Sequence, residues 1–214
     1  MKSPSEWHSM QRVLITAFEP FDRWSENSSW LALLELTRSL PESPKVVTRR
    51  YPVDFAKAKE RLSEDLAADY DFALHLGQSS RIGRIELEAI GLNVGGEPAQ
   101  SPDDFQPLVT GGPAAYQTSL PLAHWSAKMR EDGIPAQVSY HAGTYLCNAV
   151  LYLSLHLAAE NRLKTTSTFL HLPLAPQQVL GERQAWPTLP SEMCAKGIRL
   201  ILSDLANKDN LSTT

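Results

Sequence analysis

Apolar and polar positions along the chain alternate between two periods. Residues 12–18, RVLITAF, form a short β-branched apolar run. SSWLALLELTRSL (28–40) then sets Trp30, Leu31, Leu33, Leu34 and Leu36 at helical spacing behind Ser28 or Ser29 as the cap. KVVTRRYPV (45–53) alternates as a strand does, and Asp54 can cap a helix from Phe55 to about Ala68, with Phe55, Ala58, Leu62 and Leu66 on one stripe. DFALHL (71–76) reads as a buried strand. The alternation of RIELEAIGLNV (84–94) predicts a hairpin or an irregular β segment, and residues 95–113 are rich in Gly, Pro and Asp. A helix from about Pro121 to Glu131, the strand PAQVSYH (135–141), a helix from Cys147 to about Glu160 and the strand STFLHL (167–172) follow. A last helix, about Ser191 to Ala206, carries Met193, Ile198, Ile201, Leu202 and Leu205.

Strands alternating with helices of roughly 10–15 residues predict an α/β fold: a three-layer α/β/α sandwich around a mostly parallel twisted sheet, with a β-hairpin segment added. The 214 residues fit one domain over 11–207, leaving 1–10 and 208–214 as flexible tails. With 43% hydrophobic and 21% charged residues the composition is that of an ordinary globular protein. The net charge of -4, with no basic block, argues against nucleic acid and against docking on an anionic membrane. No stretch reaches the roughly 20 apolar residues of a membrane span, and Met1 to Gln11 lacks the apolar middle of a secretion signal, so a cytoplasmic location is expected. Two cysteines, Cys147 and Cys194, fit free thiols in a reducing compartment.

In an open α/β sheet the usable crevice lies beyond the carboxyl ends of the strands. Four strands are expected to end in polar or Gly-containing turns that can converge there: 17–21, 77–80, 141–144 and 171–173. Cys147 falls in the first turn of its helix, where unpaired N–H groups and the helix dipole stabilise a thiolate and can receive an oxyanion. The alternative is a packed thiol beginning the face continued by Leu151, Ser154 and Leu155. His171, at the end of STFLHL, suits a base for that thiol; His75 in FALHL and His141 before the loop compete with it. Glu86 and Glu88 share one strand face, so alternation alone leaves both open as the group that orients the imidazole. His and Cys do not fall at zinc-ligand spacings, and Gly95-Gly96 and Gly111-Gly112 do not sit in a phosphate-loop frame.

The residues resemble the pyroglutamyl peptidases of the pyrrolidone-carboxylate type, collinearly over most of the chain. VLITAFEPF (13–21) is similar to the family's V-L-x-T-G-F-x-P-F, and LHLGQ (74–78) to its strand-end G-Q. GGPAAYQTSLPL (111–122) and GIPAQVS (133–139) resemble G-P-x-A-Y-x-S-T-L-P and G-I-P-A-x-V-S. HAGTYLCN (141–148) resembles the nucleophile motif x-A-G-T-[FY]-x-C-N, and FLHLPLAPQQ (169–178) resembles F-I-H-I-P-x-L-P-x-Q. The resemblance implies a Cys-His-Glu triad that removes an N-terminal pyroglutamyl residue from a peptide or amide through an acyl-enzyme, with no cofactor and no metal. Position by position it implies Cys147 as nucleophile, His171 as base and, by ungapped alignment from Gly77-Gln78, Glu88 as the acid. It implies Phe18, Phe21, Gln78, Tyr145 and Leu146 around the lactam, and a homodimer or homotetramer. The departures cluster in one loop: Ala89 stands where the family has Arg after the catalytic Glu, and V-G-G-E-P-A-Q (94–100) puts Pro98 where a loop Arg is usual. Ser80-Arg81-Ile82 replaces Gly-Gly-Arg, and Ala17 replaces a Gly. The rewritten loop leaves two other readings open, a thiol amidohydrolase with another small lactam or N-acyl substrate and a pyroglutamyl-binding protein of weakened catalysis.

Overall fold

A computed structural model describes residues 10–207. The expected tails, 1–10 and 208–214, lie outside these residues apart from Met10, which is exposed. The elements are β1 (Arg12–Phe18), α1 (Ser28–Thr37), β2 (Lys45–Tyr51), α2 (Phe55–Leu66), β3 (Phe72–Gln78), β4 (Ile85–Glu88), β5 (Ile90–Leu92), β6 (Ala115–Gln117), α3 (Leu122–Glu131), β7 (Ala136–Ser139), α4 (Leu146–Glu160), β8 (Thr166–Leu172) and α5 (Ser191–Ala206). A six-stranded sheet has the order β2-β1-β3-β8-β4-β7, and β5 pairs with β6 in a small separate ladder.

The central strands β1, β3 and β8 are buried along nearly their whole length, as their unbroken apolar runs require. One face of the sheet meets α1, α3 and α5, through Leu33, Leu36, Trp125, Met129, Ile198 and Ile201. The other meets α2 and α4, through Leu62, Leu66, Val150 and Leu151. This is the α/β/α sandwich anticipated from the pattern. Asp54 caps α2 as expected, accepting from Lys57 N–H at 2.8 Å. In α1 the cap is Asn27 rather than either serine: its Oδ1 accepts from Ser29 N–H at 3.1 Å and from the Ser29 hydroxyl at 2.7 Å. Ser28 and Ser29 are therefore inside the first turn.

Strand direction is where alternation carries no information. The pairs β1/β2, β1/β3 and β3/β8 are parallel, but β4 runs antiparallel to β8, and β7, parallel to β4, runs with it. The ends of β1, β3 and β8 therefore share one sheet edge, and the end of β7 points the other way, against the expectation that all four turns converge. The 84–94 segment is split between the two ladders: β4 joins the main sheet, while β5 leaves it to pair with β6.

Candidate active site

The register sets the levels of the site. Gly77 lies opposite His171, and Phe169 opposite Glu88, which lies opposite Ser139. Cys147 comes back to the Gly77 level because the chain reverses after β7: Gly143, at φ +79, takes a left-handed conformation that suits glycine, and Tyr145 then opens α4. A Cβ on Gly77 would stand 3.2 Å from Cys147 Sγ and 2.4 Å from the Phe169 ring, so the absence of a side chain there lets the thiol approach the strand. No side chain caps α4, and its first backbone bond runs from Ala149 N–H to the Tyr145 carbonyl at 3.0 Å. The N–H groups of Leu146, Cys147 and Asn148 precede that bond, as at any helix start, and are available to an incoming oxyanion.

His171 is 9% exposed and Glu88 fully buried, and His171 Nδ1 meets Glu88 Oε1 at 2.7 Å. That pairing leaves the other ring nitrogen for Cys147, whose sulfur is near enough to act on the charge of the imidazole. Burial alone would push the imidazole down. The Cys147 sulfur and the Glu88 carboxylate oppose it and together raise it to about 10, so the ring is held protonated. Glu88 Oε2 is buried and has no partner among the described residues. Among the described residues the imidazole is thus the carboxylate's one side-chain partner.

Glu86, the other candidate left open by alternation, accepts from Gln137 Nε2 at 2.7 Å. One ligand atom each of Glu86, Glu88 and His171 lie within 4.8 Å of one another, and inside that cluster His171 Nδ1 is paired with Glu88 Oε1. His75 is on the same strand face as Gly77 but two residues deeper, bonded to the Thr16 hydroxyl at 2.8 Å and the Ser154 hydroxyl at 3.1 Å; burial pushes it down to about 3. It is a neutral core residue. His141 is exposed and accepts from Gly143 N–H at 3.2 Å within the loop.

Beside the thiol is a cavity of about 150 Å³ lined by Phe18, Phe21, Gln78, Tyr145 and Leu146, with Asn27, Val53, Gly77 and Cys147. All five expected pocket residues are there. Asn27 and Val53 line it too, and neither stands out in the sequence: Asn27 precedes a serine pair that reads as the cap, and Val53 closes what looks like the end of β2. The Tyr145 ring packs against Phe21 and Phe55, with centroids 5.6 and 5.1 Å away. Burial, and then the charge of Glu97, push its hydroxyl up to about 12. The rewritten loop still docks on the nucleophile segment. Gly96 N–H donates to the Thr144 carbonyl at 3.0 Å, and Asn148 Nδ2 donates to the carbonyls of Leu92 and Val94 at 2.9 Å. Pro98, in the place of the usual Arg, is exposed.

Comparison with known proteins points the same way as this geometry. The family model described as pyroglutamyl peptidase matches residues 11–207. The chain is 40% identical over 179 residues to a pyrrolidone-carboxylate peptidase of Clavibacter michiganensis, covering 80% of this chain and 83% of that one. It is 37% identical over 204 residues to that of Streptomyces coelicolor, covering 92% and 93%. A solved mutant pyrrolidone carboxyl peptidase from Pyrococcus furiosus superposes with a TM-score of 0.84 at 32% identity, over 93% of this chain and 99% of that one. The enzyme of Thermococcus litoralis gives 0.84 at 30%, over 94% and 96%. With sequence, fold and nearly full-length coverage in agreement, the chain belongs to the pyroglutamyl peptidase family.

Proposed function

We propose that this protein is a cysteine omega-peptidase that hydrolyses an N-terminal pyroglutamyl residue from peptides or amides, with Cys147 as nucleophile, His171 as acid and base and Glu88 as the residue that orients and charges the imidazole. The observation that carries the reading is a small, largely apolar cavity lined by Cys147, whose sulfur acts on the charge of a buried imidazole paired with Glu88. An uncharged five-membered lactam can enter such a space with its methylenes against Phe18, Phe21 and Tyr145, whereas a free N-terminal glutamate would surrender the hydration of two charges.

The Cys147 thiolate adds to the pyroglutamyl carbonyl carbon, and the oxyanion is received by the N–H groups at the start of α4. Collapse breaks the C–N bond as His171 gives its proton to the leaving amine. The neutral imidazole then takes a proton from water, which attacks the thioester and releases pyroglutamate, restoring the thiolate and the imidazolium. Glu88 keeps Nδ1–H engaged throughout, so the ring turns the same nitrogen to each step.

The test is release of a fluorogenic amine from its pyroglutamyl amide. Cys147→Ala and His171→Ala should abolish it, and unchanged turnover in Cys147→Ala sinks the proposal. A panel of other small-ring and N-acyl amides in which one outperforms pyroglutamyl would shift the reading to a changed substrate.

Two finer statements are part of the same proposal. Assembly as a homodimer or homotetramer is supported by the family resemblance, and light scattering on the purified chain decides it. A cytoplasmic setting is supported by the thiols: Cys147 and Cys194 are free and sit on helices packed against opposite faces of the sheet, out of reach of each other. Among the described residues no helix is long and apolar enough to cross a membrane.

A further inference from the structure

The polarity of the lactam cavity is set from outside it. Gln78 ends β3 with its side chain on the cavity wall beside Cys147. An amide can present either its carbonyl or its NH2, and the two differ little in shape, so the surrounding hydrogen bonds must decide which faces a ligand. Gln78 Oε1 accepts from Ser28 N–H, in the first turn of α1, at 2.8 Å, and from Gln178 Nε2 at 2.8 Å. Both lone pairs are used. Gln178 is fixed in turn by two backbone groups whose polarity admits no choice. Its Oε1 accepts from Ala175 N–H at 2.8 Å, and its Nε2 donates to the Glu26 carbonyl at 3.0 Å, so its second N–H must go to Gln78. Turning an amide over would set donor against donor, or acceptor against acceptor, at two contacts for Gln78 and at three for Gln178.

The NH2 of Gln78 is what remains. It donates to no group among the described residues, and Gln78 lines the cavity. We propose that Gln178, which does not line the cavity, is a positioning residue: it locks the Gln78 amide so that the cavity presents a donor, and it thereby selects acyl groups carrying a ring carbonyl. The relay runs from the turn after β8, through Gln178, to the end of β3. A lactam carbonyl gains a bond there, and a ring of the same shape without the oxygen leaves the Gln78 NH2 unpaired in a confined apolar space. The inference rests on the pyroglutamyl reading of the site and gives that reading its chemical selectivity.

The experiment compares wild type, Gln78→Met, Gln178→Met, Gln178→Glu and the double Gln78→Met/Gln178→Met variant. Each is assayed for KM and kcat on a pyroglutamyl amide and for the rate of Cys147 alkylation by iodoacetamide. Gln178→Met should lower kcat/KM roughly tenfold, mostly through KM, while the alkylation rate stays within about twofold of wild type. The double variant should be no worse than Gln78→Met alone, because Gln178 acts only through Gln78. Gln178→Glu keeps the acceptor for Ala175 but opposes a carboxylate oxygen to Gln78 Oε1, and should lose at least as much as Gln178→Met. Wild-type kinetics in Gln178→Glu, losses that multiply in the double variant, or alkylation that falls in step with turnover would each overturn the inference. Failure of wild type to cleave the pyroglutamyl amide would instead overturn the proposed function, and the two failures are told apart in the same experiment.

Discussion

Replacing Glu88 by Gln tests how the site keeps its imidazole charged. The substitution preserves size and an acceptor for His171 Nδ1–H but removes the negative charge 2.7 Å away, where Glu88 is fully buried and His171 is 9% exposed. Both charges are spread over several atoms, with centres roughly 4 Å apart; at an effective dielectric near 20 that is worth about 4 kcal/mol, and the neutral bond that Gln retains brings the net loss to about 3 kcal/mol. At about 1.4 kcal/mol per pH unit, His171 should fall by about two units from its position near 10, and the Cys147 sulfur alone would hold up what remains of the shift. The sign follows from the proton. Turnover needs the imidazolium to protonate the leaving amine, so activity is lost as pH rises through the folded value, and Glu88→Gln should move that basic limb down by about two units. The same shift is a stability statement: against an ordinary value of 6.5, the raised imidazole contributes stability that is fully present below 6.5 and lost as pH rises through about 10. In Glu88→Gln the loss should begin and end at lower pH. The assay is kcat/KM for a pyroglutamyl amide from pH 5 to 11, with urea midpoints on the same samples. Little change is expected at pH 7, where an imidazole at about 8 is still mostly protonated, and a roughly tenfold drop at pH 9, on the displaced basic limb. A drop with an unmoved limb would refute the charge argument, and an unmoved rate at pH 9 would refute the role of Glu88.

Three further outcomes follow from the geometry. Gly77→Ala should lower kcat/KM at least tenfold and destabilise the fold by about 1–3 kcal/mol in urea titrations, because its methyl would enter the Phe169 ring and crowd Cys147 Sγ. His75, pushed down to about 3, stays neutral in the fold while the unfolded chain takes up a proton below 6.5, so stability should fall as pH drops from 6.5 toward 3; His75→Gln should flatten that limb, amounting to roughly 3 kcal/mol between pH 7 and 4. Cys194 is buried, and burial pushes its thiol up to about 12, so brief iodoacetamide treatment at pH 7 should label Cys147 alone in a peptide map, and Cys194→Ala should retain full turnover.

Much of this fold is visible in one sequence because its central strands and its helices have unmistakable periods. The apolar runs of β1, β3 and β8 admit only burial on both faces, and the stripe from Ala58 through Leu66 admits only a helix with one wet side. Errors sit at ends and at directions. Asn27 displaces Ser28 and Ser29 as the cap because two serines inside a first turn look like a start signal whether or not they are one. The reversal of β4 and β7 leaves no trace in alternation, since a strand buries the same residues read in either direction.

The candidate site follows the same division. Cys147 at a helix start and His171 at a strand end are positions that chemistry favours, and both are readable from local pattern. His75 could be set aside only once depth was known: it shares the face of Gly77, but two residues further from the edge it meets Ser154 instead of the thiol. The choice between Glu86 and Glu88 is the sharper case. Across the antiparallel ladder it is Glu86 that stands opposite His171, and Glu88 that stands opposite Phe169. Direct opposition would therefore favour the carboxylate that the ring does not bond. Glu88 reaches the ring along the diagonal while Glu86 is drawn aside to Gln137, and that geometry depends on the direction of β4, the one property the pattern does not carry. The residues that govern this site most are thus fixed by partners on other strands, and Gln178, which touches the cavity only through Gln78, is the extreme of that rule.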